Sequence, residues 1–289
     1  MPSVIIPAHN EEALIGECLR AVLADSIPDL EVIVIPNACT DRTAEVAQGF
    51  GSPVTVIETE TPGKTNAVNL GEQSTTLFPR VFLDGDIVLK PGALKAIFAA
   101  LESGKLIASP PPEFDTAGCD LGVRLFYKSL RANQYFGHGA PNGSGVFAIT
   151  QDGRTRWDEF PKVIADDGFV ELNFSDAEAG TTDGPAAIVR APKTFRALLK
   201  IKTRARLGQI ELCERFPELV ARREPSPGRT FRRMLASPGL WPAIPVYGFV
   251  RIYERRAAKK LAAQQGFSGW LRDDTSRQPV AHVAKKEAG

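Results

Sequence analysis

Short aliphatic runs alternate along the first ninety residues with stretches whose apolar positions recur every three or four residues. Residues 3–7 form one such run. After it, apolar side chains fall at Leu14, Ile15, Cys18, Leu19, Val22 and Leu23, the spacing of one helix face. The alternation returns at residues 30–35 before a helical 40–49, at 54–57 before 64–71, and at 80–83. Short apolar strands separated by helices predict an α/β fold, a mostly parallel, doubly wound sheet with both faces covered. Ligands of such sheets sit beyond the carboxyl ends of the strands, which directs attention to loops 8–12, 36–41, 60–64 and 84–86. From about residue 92 the pattern changes. Pro91 opens a helix ending near Glu102, the Pro-rich 109–112 follows a short strand, a helix covers 121–132, a strand 145–150, and the chain after Pro192 is helical and basic.

A chain of 289 residues accommodates one large core with an appendage. The expected division is a catalytic domain at 1–215 and a helical extension at 216–289 that ends in a polar tail after about Asp273. A formal net charge of +1 argues against nucleic acid as a partner, but between Arg190 and Arg233 thirteen Lys or Arg face four Glu. That stretch suits phosphates, an anionic acceptor or a membrane surface. Cys18, Cys39, Cys119 and Cys213 form no C-x-x-C pair and read as reduced packing residues. No signal-peptide pattern and no uninterrupted run of 18 apolar residues is present, so a cytoplasmic protein without a spanning helix is expected.

Asp84-Gly85-Asp86 closes the run Val81-Phe82-Leu83, and in extended backbone residues two apart point the same way. Two carboxylates beside substrate phosphates suit Mg2+ or Mn2+. A solvated Asp-Gly turn is the other reading, and the position at a strand's carboxyl end favours the cation. Asp166-Asp167 can hold one raised proton affinity, as a general base needs, or can stabilise a helix N-terminus; the two are compatible. Gly63-Lys64-Thr65 lacks the earlier glycine of a P-loop, since Glu58 stands there. Gly143-Ser-Gly145 precedes a strand, unlike a dinucleotide fingerprint, and His9, His138 and His282 are too dispersed for a zinc cluster.

The segments Val4-Ile-Ile-Pro-Ala-His-Asn-Glu-Glu12, Pro36-Asn-Ala-Cys-Thr-Asp-Arg-Thr43, Gly63-Lys-Thr-Asn-Ala-Val-Asn69 and Asp84-Gly-Asp86 resemble, in order and spacing, the family 2 glycosyltransferases. Gly143-Ser-Gly-Val-Phe-Ala-Ile149 and Ala165-Asp-Asp167 are similar to that family's acceptor-side segment and Glu-Asp base motif, so the resemblance runs from residue 3 to about 215. It implies a GT-A fold, a nucleotide-sugar donor, a divalent cation and inversion by direct displacement. Carried over by position, Ala8, Glu11 and Asn37 would line the nucleoside pocket with Lys64 near it. Asp84 would approach the ribose or metal, Asp86 would ligate the cation, and Asp167 would deprotonate the acceptor hydroxyl.

Three departures bear on this. Pro36-Asn37 stands where many relatives carry an Asp pair, which opens the identity of the nucleotide. The base motif is Asp-Asp. Of the Gln-x-x-Arg-Trp motif of processive relatives only Arg204 survives, which implies single sugar additions and leaves Arg204 as a phosphate contact or as part of an exposed basic face. Two rivals are a catalytically degenerate nucleotide-sugar-binding or scaffold protein and a nucleotidyltransferase, whose first loop would be Gly-rich where Ala8-His-Asn-Glu-Glu12 stands here. Residues 240–253 are apolar apart from Arg251, too short to span, and followed by Arg255, Arg256, Lys259 and Lys260. They either pack on the catalytic domain or make a peripheral contact with the inner face of the plasma membrane, and the latter would suit a glycan or glycolipid acceptor.

Overall fold

The structure is a computed structural model that describes residues 1–132, 144–222 and 229–267. Gly143, His138, His282 and the polar tail after Asp273 lie outside the described residues. Strands β1 (Ser3–Ala8), β2 (Glu31–Pro36), β3 (Val54–Val56) and β4 (Arg80–Leu83) are the four aliphatic runs read from the sequence. Together with β6 (Ile107–Ser109), β8 (Val146–Ile149) and β9 (Ala179–Thr181) they make, among the described residues, a seven-stranded sheet ordered β3-β2-β1-β4-β8-β6-β9. β1 lies inside the sheet, parallel to both neighbours, with Ser3 opposite Glu31 and Arg80.

The period of two in these strands feeds two apolar layers. Val4, Ile6, Val32, Val34, Val81 and Leu83 face helices α1 (Ile15–Ala24), α2 (Thr43–Gln48) and α4 (Ala93–Glu102). Ile5, Ile33, Ile35 and Phe82 face α3 (Lys64–Gln73) and α7 (Asp166–Leu172). β8 runs antiparallel to both β4 and β6, so its starting end, rather than its finish, lies beside the end of β4. A small second sheet, ordered β5-β10-β7, joins β5 (Val88–Leu89), β10 (Ala187–Arg190) and β7 (Pro112–Asp115). The Pro-rich segment thus contains a strand, tolerated because β7 is an edge and needs fewer backbone donors.

The predicted helix over 121–132 is α5 (Leu121–Ser129) continued by a 3-10 turn at Leu130–Ala132. The short α6 (Gln151–Arg154) follows β8. α8 (Phe195–Arg215) starts where the Thr194 hydroxyl accepts from the Ala197 N–H at 3.2 Å, an N-cap. Beyond it come α9 (Pro217–Ala221), α10 (Arg229–Ala236), a 3-10 segment Pro238–Ala243, and α11 (Ile244–Gln265). Val250 of α11 packs with Leu198 of α8 and with Val123 and Phe126 of α5, so residues 240–253 do pack on the rest of the protein through one side. No helix among the described residues is long and apolar enough to cross a membrane.

Candidate functional site

The parallel strands β1, β2 and β4 end together, and their following loops form one rim. β1 leads into Ala8-His9-Asn10-Glu11, β2 into Asn37, and β4 into Asp84-Gly85-Asp86. Asn37 is buried and ties three loops together. Its backbone N–H and its Nδ2 each donate to the Ala8 carbonyl at 2.8 Å, and its Oδ1 accepts from the Gly63 N–H at 3.2 Å. The His9 Nδ1–H donates to the Asn37 carbonyl at 2.6 Å, which fixes the ring against the β2 loop. Glu11 is held by its backbone, which donates to the Thr43 hydroxyl at 2.8 Å.

The antiparallel entry of β8 brings Gly145 against the end of β4, where its carbonyl accepts from the Asp84 N–H at 2.8 Å. Gly145 has φ +69°, and a Cβ there would lie 2.6 Å from Ile87 Cγ1 and 3.2 Å from Asp84 Oδ2, so only glycine allows this approach. Lys64, the first residue of α3, reaches across the rim. Its Nζ lies 2.7 Å from Asp84 Oδ1 and 3.0 Å from Asp166 Oδ2. Asp166 and Asp167 open α7, so the helix-start and cleft readings of this pair describe the same geometry.

One cleft therefore collects Lys64, Asp84, Asp86, Asp166 and Asp167. It continues past His9, Glu11, Asn37 and Arg204 on one side and over an apolar wall of Val68, Phe82, Phe147 and Phe160 on the other. Arg204, on α8, faces this cleft and is half-buried. Ala8 is buried in the layer against α1 and is not among the residues lining the cleft; its carbonyl holds Asn37.

Four aspartates, with Glu11 farther along the cleft, crowd against one ammonium and one guanidinium. Burial pushes Asp84 up to about 6; the Lys64 ammonium pulls it down, while Asp86 and Asp166 reinforce the rise. Burial likewise raises Asp167, helped by Asp166 and opposed by Lys64, the Gly168 N–H and Arg204. For Lys64, burial disfavours the charge, but Asp166, Asp84 and Asp167 outweigh it, and the ammonium is held well above its usual range.

Such a pocket is short of positive charge, and its donors are hard oxygens, which fits a divalent cation of the Mg2+ or Mn2+ kind. Among the described residues no three His, Cys, Asp or Glu cluster as a protein-only metal site. Two carboxylates with the other positions left to phosphate and water are the arrangement Mg2+ commonly adopts.

Several site residues gave no local signal in the sequence. Arg190 of β10 donates to the Asp86 carbonyl at 3.3 Å and pairs with Glu17 at 2.5 Å, although 104 residues separate it from Asp86. Glu211 is buried on α8, where its Oε2 accepts from the Ile164 N–H at 2.8 Å and its Oε1 from Arg215 at 2.9 Å. The helix carries two acids, Glu211 and Glu214, and only the packing shows that Glu211 is the buried one. Next to it α8 lies so close to the chain before α7 that a Cβ on Gly208 would stand 2.8 Å from Ala165 Cβ.

A family model described as Glycosyl transferase family 2 matches residues 3–151. A 4,4'-diaponeurosporenoate glycosyltransferase of Staphylococcus aureus (strain USA300) is 30% identical over 168 residues, 56% of this chain and 42% of the relative. The chain thus spans less than half the length of the curated relatives it matches. Among solved structures, the mannosyltransferase PcManGT from Pyrobaculum calidifontis in complex with GDP-Man and Mn2+ superimposes with a TM-score of 0.58 at 20% identity, over 93% of this chain and 76% of that one. Glucosyl-3-phosphoglycerate synthase from Mycobacterium tuberculosis, in complex with Mn2+, UDP and phosphoglyceric acid, does so with 0.52 at 22% identity, over 74% and 78%. S. aureus TarS 1-349 in complex with UDP-GlcNAc gives 0.52 at 14% identity, over 92% of each chain. At these identities the likeness is one of fold.

Proposed function

This chain belongs to glycosyl transferase family 2 and has the GT-A architecture, and on that premise we propose that it moves a single sugar from a nucleoside diphosphate sugar to an acceptor hydroxyl with inversion at the anomeric carbon. The observation that carries this reading is the convergence of Asp84, Asp86, Lys64, Asp167 and Arg204 on one cleft beyond the strand ends. Asp86, with Asp84, would hold Mn2+ or Mg2+, which neutralises charge on the diphosphate when bound. Lys64 and Arg204 add fixed positive charge for the same phosphates. Asn37, whose amide is engaged with Ala8 and Gly63, shapes the nucleoside side of the pocket with Glu11 and His9.

In the reaction the acceptor oxygen attacks the anomeric carbon as the bond from that carbon to the diphosphate oxygen breaks. The hydroxyl proton passes to the Asp167 carboxylate. Asp166 is engaged by Lys64 at 3.0 Å, which leaves its neighbour as the base. The acceptor we propose is a glycan or glycolipid, the class that a contact of residues 240–253 with a membrane would suit. The test is calorimetric titration with a panel of nucleoside diphosphates and their sugars, with and without Mn2+. One nucleotide should bind more tightly with the cation, and absence of binding across the panel would sink the reading.

Glu211 acts on this chemistry at one remove, by fixing the Ile164 N–H two residues before Asp166. Glu211→Leu is expected to lower kcat by about 10- to 100-fold, since small misplacements of a reacting group cost that much, with donor Kd unchanged. Glu211→Gln, which keeps an acceptor for Ile164, should recover most of the rate. Equal losses in kcat for both variants would remove the positioning role.

A further inference from the structure

α11 has two unlike sides. Val250, Glu254 and Ala258, four residues apart, are buried against the protein, and Glu254 is paired with Arg251 at 2.8 Å. The outward side carries Phe249 (52% exposed), Ile252 (54%) and Tyr253, followed by Arg256 and Lys260. The Phe249 ring stacks on those of Tyr253 and Phe195, at 6.1 and 6.0 Å. Immediately before the helix, Trp241 is 55% exposed, and its indole N–H donates to the Leu235 carbonyl at 3.0 Å, tying it to α10. α10 buries Met234 and exposes Phe231 and Leu235. Among the described residues only Met1 and Leu121 are other large apolar side chains so open to water, so the exposure is concentrated in one stretch. α10 and α11 both pack against the 3-10 segment between them, which gathers these side chains in one region, and apolar exposure gathered in this way marks a contact surface.

Charge identifies the occupant. Residues 229–267 contain eight Lys or Arg and one acid, Glu254, which is buried. Arg232, Arg233, Arg255, Arg256, Lys259 and Lys260 are exposed beside the apolar side chains. A second copy of the same face would set like charges against each other, so self-association is disfavoured. An anionic bilayer offers an apolar layer for the rings and negative headgroups for the basic side chains at once. Trp and Tyr, apolar with one polar atom, suit that boundary.

We propose that α10, the 3-10 segment and the outward side of α11 seat the protein on an anionic lipid surface. Trp241, Phe249, Ile252 and Tyr253 enter the headgroup region, and the Arg and Lys residues bind the headgroups. This surface is independent of the transfer reaction, and vesicle binding measured without any donor keeps the two ideas separately testable.

The experiment uses the full chain and vesicles of phosphatidylcholine, alone or mixed with phosphatidylglycerol. Cosedimentation should show binding to the anionic vesicles at least about tenfold tighter than to the neutral ones, because several basic side chains each add attraction to anionic headgroups. Tryptophan emission should shift to the blue on binding, and Trp241→Phe should remove most of the shift. Phe249→Ser with Ile252→Ser, and separately Arg255, Arg256, Lys259 and Lys260 each →Gln, should each weaken anionic-vesicle binding by about tenfold or more. All six positions are exposed, and thermal unfolding of the variants controls for folding. Wild-type protein that ignores both vesicles, or variants that bind as well as wild type, would overturn the proposal. So would a dimer in solution that the apolar variant breaks, because the face would then belong to a second copy.

Discussion

Asp167→Asn is expected to lower the rate of sugar transfer by about 10²- to 10⁴-fold, the usual contribution of a positioned general base, while donor affinity stays within about twofold. The substitution keeps shape, and Asn can still accept from the Gly168 N–H, which in the native protein donates to Asp167 Oδ1 at 2.8 Å. What it would lose, on the role proposed for Asp167, is the ability to take the acceptor's proton. Burial and the neighbouring Asp166 hold the Asp167 carboxyl above the usual carboxylate range. The base works only when deprotonated, so kcat/KM of the wild type should rise with pH through that raised value and then level off. The Asn variant should lose this limb along with the rate. A variant within about tenfold of wild type would assign the proton to another group, since general-base removal costs more than that. The measurement needs initial rates of nucleoside diphosphate release with acceptor present, over a pH series.

The legible parts of this protein were those that depend on local chemistry. β1 to β4 were written as short continuous aliphatic runs, because both of their faces are covered, and their helices as period-3.6 patterns, because each helix buries one face. The rim residues Asp84, Asp86 and Lys64 followed from the rule that parallel strands end on one side. The antiparallel course of β8 was not legible, because strand direction is set by the route of the preceding chain and leaves no mark on Val146-Phe-Ala-Ile149. For the same reason nothing near Arg190 announced Asp86. Residues 240–253 invited two readings because one helix face packs and the other does not. An apolar stretch summed along the chain cannot separate faces 100° apart, whereas the burial of Val250 beside exposed Phe249 does. Arg204 was ambiguous on similar grounds, since a basic helix shows its charges all round until its packing partner fixes which side meets the cleft.

Asp86→Ala is expected to abolish the part of nucleotide binding that depends on Mn2+, a loss of about 100-fold or more in affinity at saturating cation, as removal of a ligand should cost at least as much as removal of a supporting contact. The argument rests on charge balance. Asp84, Asp86, Asp166 and Asp167 line one cleft with Lys64 and Arg204, and Asp84 is pushed up to about 6 by burial first, with Asp86 and Asp166 adding to the rise that Lys64 opposes. A diphosphate brings further negative charge, so Lys64 and Arg204 alone would have to hold it against four carboxylates. A bound cation would remove that conflict, and Asp86, which lines the cleft beside Asp84, is the side chain proposed to hold it. Calorimetry of wild type and variant with each nucleotide, with Mn2+ and with chelator, reads the effect without any turnover. Thermal unfolding with Mn2+ alone supplies a second readout, because a ligand that binds only the folded state raises its melting temperature. If the nucleotide binds equally well with and without Mn2+, and Asp86→Ala binds as wild type does, the cation role falls and Lys64 and Arg204 must carry the diphosphate unaided.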